Sequence, residues 1–107
     1  MPTYNKLVRD RIPEIIEKSG KKFRTKTLDS TTYEKELRVK LEEEMDELLK
    51  AESTAELVEE MADLLEVMYS LAKLRGVDPP EIEEVRKRKL DERGGFEERL
   101  LLVDVED

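Results

Sequence analysis

A mainly α fold, an antiparallel helical bundle completed by oligomerisation, is what this sequence predicts, with short extended segments near residues 23–28 and 100–105. Two observations carry that expectation. Two long amphipathic runs, each opened by a capping pattern, flank a loop so short that the runs must lie antiparallel. The composition, 37% hydrophobic and 45% charged over 107 residues, leaves one thin core under a dense ionic surface. A core that thin is readily completed by a partner subunit, and the chain is expected to form a single helical domain over residues 1–107.

The elements follow in chain order. Ile12, Ile15 and Ile16 mark a short helix over Pro13–Lys18, ended by Ser19-Gly20. Phe23 to Leu28 alternates and is rich in threonine, the pattern of a short strand. Ser30 and Thr31 offer an N-cap, with Thr31 and Glu34 at capping-box spacing, and a long helix should run to Ala51. Ser53 and Glu56 repeat that spacing and open a second long helix that stops at Gly76. Asp78-Pro79-Pro80-Glu81 starts a third, with proline in its first turn, which continues to Arg93 and breaks at Gly94-Gly95. Leu101, Val103 and Val105 alternate in the tail, which is expected to pair as a strand with Phe23–Leu28.

Composition also excludes. Without cysteine there is no disulfide or thiolate metal site, and without histidine the commonest general base is missing. Any chemistry must use carboxylates, hydroxyls, lysines and arginines. The opening residues lack an apolar signal core and no run approaches a membrane span, so a cytoplasmic protein without a membrane partner is expected. A net charge of −8 argues against stable binding to nucleic acid.

The informative residues are acids that stand where a core should be. At about 100° per residue, Leu37, Leu41, Met45 and Leu48 share one arc of the first long helix, its expected buried stripe. Glu44 lands roughly 20° from Leu37, at the margin of that stripe, with Glu47 and Glu43 fanning out beside it. On the second long helix Leu57, Met61, Leu64, Leu65, Met68, Leu71 and Ala72 form a broad apolar face. Glu60 projects between Val67 and Leu71 on that face, and Asp63 lies at its edge. Glu44, Glu47, Glu60 and Asp63 thus pair at i, i+3 on the inner sides of two antiparallel helices. Clustered carboxylates out of water need a positive partner, and hard cations with oxygen ligands, Mg²⁺ or Mn²⁺, suit them best. A ferritin-like di-iron site would need Glu-x-x-His, which a chain without histidine cannot supply.

Glu43-Glu44-Met45-Asp46-Glu47 and Glu60-Met61-Ala62-Asp63 together resemble the EExxE…ExxD signature of MazG-like nucleotide pyrophosphohydrolases, the all-α group related to phosphoribosyl-ATP pyrophosphohydrolase. The opening Tyr4-Asn5-Lys6-Leu7-Val8-Arg9-Asp10-Arg11-Ile12-Pro13 and the late Arg93-Gly94-Gly95-Phe96 are similar to small stand-alone members. The resemblance implies hydrolysis of a nucleoside triphosphate between its α and β phosphates in nucleotide house-cleaning, by a homodimer or a dimer of dimers. It implies Mg²⁺, or Mn²⁺, held by Glu44, Glu47, Glu60 and Asp63, with Glu43 as an outer ligand or a group that orients the attacking water. Glu43, Glu44 and Glu47 are accordingly the expected catalytic residues.

A phosphate substrate approaching these acids needs cations from the protein. Arg86, Lys89 and Arg93 recur on one face of the third long helix, and Lys6, Arg9 and Arg11 form a second basic cluster near the N-terminus. Lys89 and Arg93 are the preferred phosphate contacts, being next to Gly94-Gly95. Two other readings share this frame: a phosphoribosyl-ATP pyrophosphohydrolase, and a non-catalytic helical dimer or regulatory module.

Overall fold

The computed structural model describes residues 2–107. It is all-helical, with α1 (Ile12–Lys18), α2 (Ser30–Lys50), α3 (Thr54–Leu74) and α4 (Pro79–Arg93), and among the described residues no strand forms. The chain divides into two compact units, one up to Gly76 and one from Val77 to Asp107.

The first unit is organised by α2 against α3. Ala51–Ser53 is the whole connection, and the side chain of Ser53 accepts a hydrogen bond from the Glu56 amide at 3.1 Å. Glu56 Oε2 accepts from the Glu52 amide at 3.4 Å, one residue before the cap, so the Ser53 half of the expected capping pattern forms and the return bond lands on the neighbouring amide. At the far end of the pair, Arg75 donates to Glu34 Oε1 through Nε at 3.0 Å and approaches it with Nη2 at 2.9 Å. A contact between the end of α3 and the start of α2 fixes the antiparallel sense that the short loop requires. Gly76 closes α3 at φ 73°, a left-handed position that glycine takes without a Cβ penalty, and its amide bonds to Lys73 O at 3.0 Å.

The cap of α2 differs from the sequence expectation. Asp29 is the N-cap, its carboxylate accepting from the Thr32 amide at 2.8 Å, rather than Ser30 or Thr31. Aspartate is as good a cap as serine and lies one residue earlier, which leaves Glu34 free for Arg75. Ile12 rather than Pro13 opens α1, with proline still in the first turn.

The buried stripe is also narrower than expected. Leu37 and Val67 are the buried apolar residues, Leu41, Leu48, Leu64 and Leu71 are half-buried, and Met45 is exposed. Met45 lies about 80° around the helix from Leu37, whereas Glu44 lies only about 20° away, so the contact line with α3 runs through the acid.

Phe23–Leu28 and the tail do not become strands. Alternation and threonine content express a side chain's fit to a sheet, and neither segment is part of a backbone ladder that would supply one. Within the second unit, α4 ends at Gly94, whose amide bonds to Leu90 O at 2.8 Å, and Leu100–Val103 are exposed. No helix among the described residues is long and apolar enough to cross a membrane.

Candidate metal centre

Glu44 is buried because α2 packs along the line from Leu37 through Glu44, two turns apart on the same side. Glu47 follows one turn later on the flank of that line, and Glu60 faces it from the first half of α3. One carboxylate oxygen from each of Glu44, Glu47 and Glu60 lies within 4.8 Å of the others. That spacing matches three ligands around one small ion, since metal–oxygen bonds of about 2.0–2.6 Å put neighbouring ligand oxygens roughly 3–5 Å apart.

The electrostatics describe a site in need of positive charge. Glu44 Oε2 and Glu60 Oε2 are buried without any hydrogen-bond partner. Loss of water raises the Glu44 pKa, and the carboxylates of Glu47, Asp63 and Glu43 raise it further against the opposing Lys40 ammonium. Glu60 is raised in the same way, first by desolvation, then by the adjacent Glu47 carboxylate through contact and charge, then by Asp63 and Glu44. A raised carboxyl pKa means the ionised form is disfavoured in the fold. A divalent cation reverses that preference, and the orphaned oxygens, all hard donors, fit Mg²⁺ or Mn²⁺.

Two cations of the chain already reach the rim. Lys40 Nζ lies 3.7 Å from Glu44 Oε1 and 3.9 Å from Glu43 Oε2, leaving Oε2 of Glu44 unpartnered. Arg9 Nη2 donates to Asp63 Oδ1 at 2.8 Å. Asp63 is therefore engaged by a guanidinium and is not among the three acids that converge, although its charge is felt by both Glu44 and Glu60. Lys6 lines a small cleft of about 30 Å³ with Asn5, Leu7, Glu36, Val39, Lys40 and Glu43, on the α2 side of the acids.

The expected site residues thus divide. Glu43, Glu44, Glu47, Glu60, Asp63, Lys6 and Arg9 all belong to the first unit, whereas Arg86, Lys89 and Arg93 stand exposed on α4 in the second. Arg86 is occupied by its own helix, its Nε donating to both carboxylate oxygens of Glu83 at 3.0 Å and its Nη2 to one of them. Lys40 is the participant that sequence reasoning missed. Its signal was present as i, i+3 and i, i+4 spacing to Glu43 and Glu44. The Arg9–Asp63 contact spans 54 residues and has no periodic signal.

A family model described as phosphoribosyl-ATP pyrophosphohydrolase matches residues 1–89, which takes in every acid of the site together with Lys6, Arg9 and Lys40 and ends before Arg93. No curated protein and no solved structure gives a match.

Proposed function

The chain belongs to the phosphoribosyl-ATP pyrophosphohydrolase family, within the MazG-like all-α superfamily, and on that premise we propose that it is a metal-dependent nucleoside triphosphate pyrophosphohydrolase. The proposed reaction cleaves between the α and β phosphates and releases a nucleoside monophosphate and pyrophosphate. One observation carries the metal dependence: the converging oxygens of Glu44, Glu47 and Glu60, two of whose carboxylates have a buried oxygen with no partner.

In this reading Glu44, Glu47 and Glu60 hold Mg²⁺ or Mn²⁺, and Asp63 completes the set from one turn along α3. A bound divalent ion supplies neutralisation of phosphate oxygens and acidification of a water. Glu43, half-buried beside Lys40, takes the proton of the water that attacks the α phosphorus. The new P–O bond forms as the α–β anhydride bond breaks, and the electron pair leaves with pyrophosphate. Lys40 keeps Glu43 and Glu44 oriented, and Lys6 and Arg9 offer charge to the phosphate chain from the N-terminal segment.

The family's own description supports equally the alternative reading, in which phosphoribosyl-ATP is the substrate, since it carries the same triphosphate linkage. Pyrophosphate release from a panel of nucleotides including phosphoribosyl-ATP, with Mg²⁺ or Mn²⁺, separates these readings. Cleavage of none of them leaves the non-catalytic helical module in place. A cytoplasmic house-cleaning role is part of the first reading.

The same reading includes a homo-oligomer. Leu57, Met61, Leu65 and Met68 are exposed along one flank of α3, away from the Val67 line that meets α2. A second copy covering that flank is expected to give at least a dimer by sedimentation at micromolar concentration. A monomer there overturns the assignment.

A further inference from the structure

Asp63 stands one turn beyond Glu60 on α3, close enough for its charge to act on both Glu44 and Glu60, yet its carboxylate is held by Arg9 at 2.8 Å. Among the described residues this is the one ion pair made by an α3 acid of the site, while Glu47 and Glu60 have no cation of their own. The pair is half-exposed, with 57% of the Arg9 side chain and 43% of the Asp63 side chain open to water. Exposed pairs of this kind are weak and exchange readily. The backbone beneath it is anchored, because Arg9 O accepts the Ile12 amide at 3.0 Å at the entry to α1. An exchange therefore needs only the arginine side chain to move. The segment that carries Arg9 also carries Lys6, which lines the cleft against Lys40 and Glu43. Residues 5–9 thus border the acid cluster on both its α2 and its α3 side.

We propose that Arg9 is the resident counter-ion of Asp63, which it gives up to the incoming divalent cation, its guanidinium then passing to the phosphate chain of the nucleotide. The proposal rests on the metal-site reading above and adds to it a coupling between ion and substrate. In the metal-free protein the guanidinium competes with the cation for one carboxylate, so it weakens ion binding. Once the cation holds Asp63, the same guanidinium is an unpaired donor at the rim of the acid cluster, and charge-assisted hydrogen bonds from it to phosphate are strong. Competition for a shared group makes the two occupancies mutually exclusive, and linkage makes the effect reciprocal.

The test is Mn²⁺ binding by calorimetry without nucleotide, in the wild type, Arg9→Ala, Arg9→Lys, Asp63→Asn and the Arg9→Ala/Asp63→Asn double variant. Arg9→Ala is expected to bind Mn²⁺ roughly two- to five-fold more tightly than the wild type, the span of an exposed ion pair, and Arg9→Lys to stay near the wild type. In the Asp63→Asn background the Arg9→Ala gain should vanish. The Michaelis constant of Arg9→Ala for the nucleotide should rise by about tenfold or more, opposite in direction to its metal affinity. A merely structural arginine would worsen both. Mn²⁺ binding unchanged or weakened by Arg9→Ala, a gain that survives in Asp63→Asn, or an unchanged Michaelis constant overturns the proposal. A wild type that binds no Mn²⁺ overturns the metal-site reading itself.

Discussion

Glu44→Gln and Glu60→Gln should each cut pyrophosphate release by about two orders of magnitude or more, several kcal/mol of transition-state stabilisation being at stake when a catalytic ion loses an anionic ligand. The same substitutions should leave the metal-free protein as stable as the wild type or more so. Each removes a negative charge from a group whose burial and neighbours already disfavour ionisation, and the new amide can donate to the carboxylates around it. Saturating Mg²⁺ should raise the melting temperature of the wild type, since binding at a hundred times the dissociation constant adds about 2.7 kcal/mol to the folded state. The rise should be smaller in both variants. A salt-bridge role predicts the reverse: stability lost with or without metal, and no metal-dependent shift. Melting curves of the three proteins with and without Mg²⁺, read beside their turnover, decide between the two. An unshifted wild type would falsify the metal assignment.

The second large effect is on the frame. Leu37 is 3% exposed and stands on the line of α2 that meets α3, where no other apolar side chain is as deeply buried. Leu37→Ala should cost about 2–5 kcal/mol, the loss of buried methyl groups plus the cavity they leave. A unit of this size shifts by roughly 4–8 °C per kcal/mol, so the melting temperature should fall by about 8 °C or more. Saturating Mg²⁺ should recover part of that loss, because an ion held as proposed would tie Glu44 and Glu47 of α2 to Glu60 of α3 across the same interface. A change below about 1 kcal/mol in chemical denaturation would mean that the α2–α3 interface is not the core of the unit.

Much of this was legible in the chain itself. The two long helices, their three-residue connection and the Ser53 cap are local events, written in turn-by-turn periodicity and in side chains that meet backbone amides three residues away. The convergence of Glu44, Glu47 and Glu60 was legible for the same reason, since two helices forced antiparallel must bring their inner faces together. The expected strands at Phe23–Leu28 and in the tail failed because a strand exists only through a partner, and alternation in one segment does not say whether a partner comes. The α2 cap was misplaced by a residue because Asp29, Ser30 and Thr31 are all competent caps and only the backbone selects among them.

Helical phase and charge were therefore determined by the sequence alone: which acids share a face, which runs are amphipathic, and that no histidine or cysteine can take part. What only the tertiary structure decided is the line along which the helices touch and the partners that arrive from elsewhere in the chain. A wheel places Glu44 and Met45 on opposite margins of the stripe, and a rotation of a few tens of degrees determines that the acid is buried and the methionine exposed. The Arg9–Asp63 pair depends on the path of the segment before α1, which no spacing in the sequence encodes because its two ends meet only after the helices have packed.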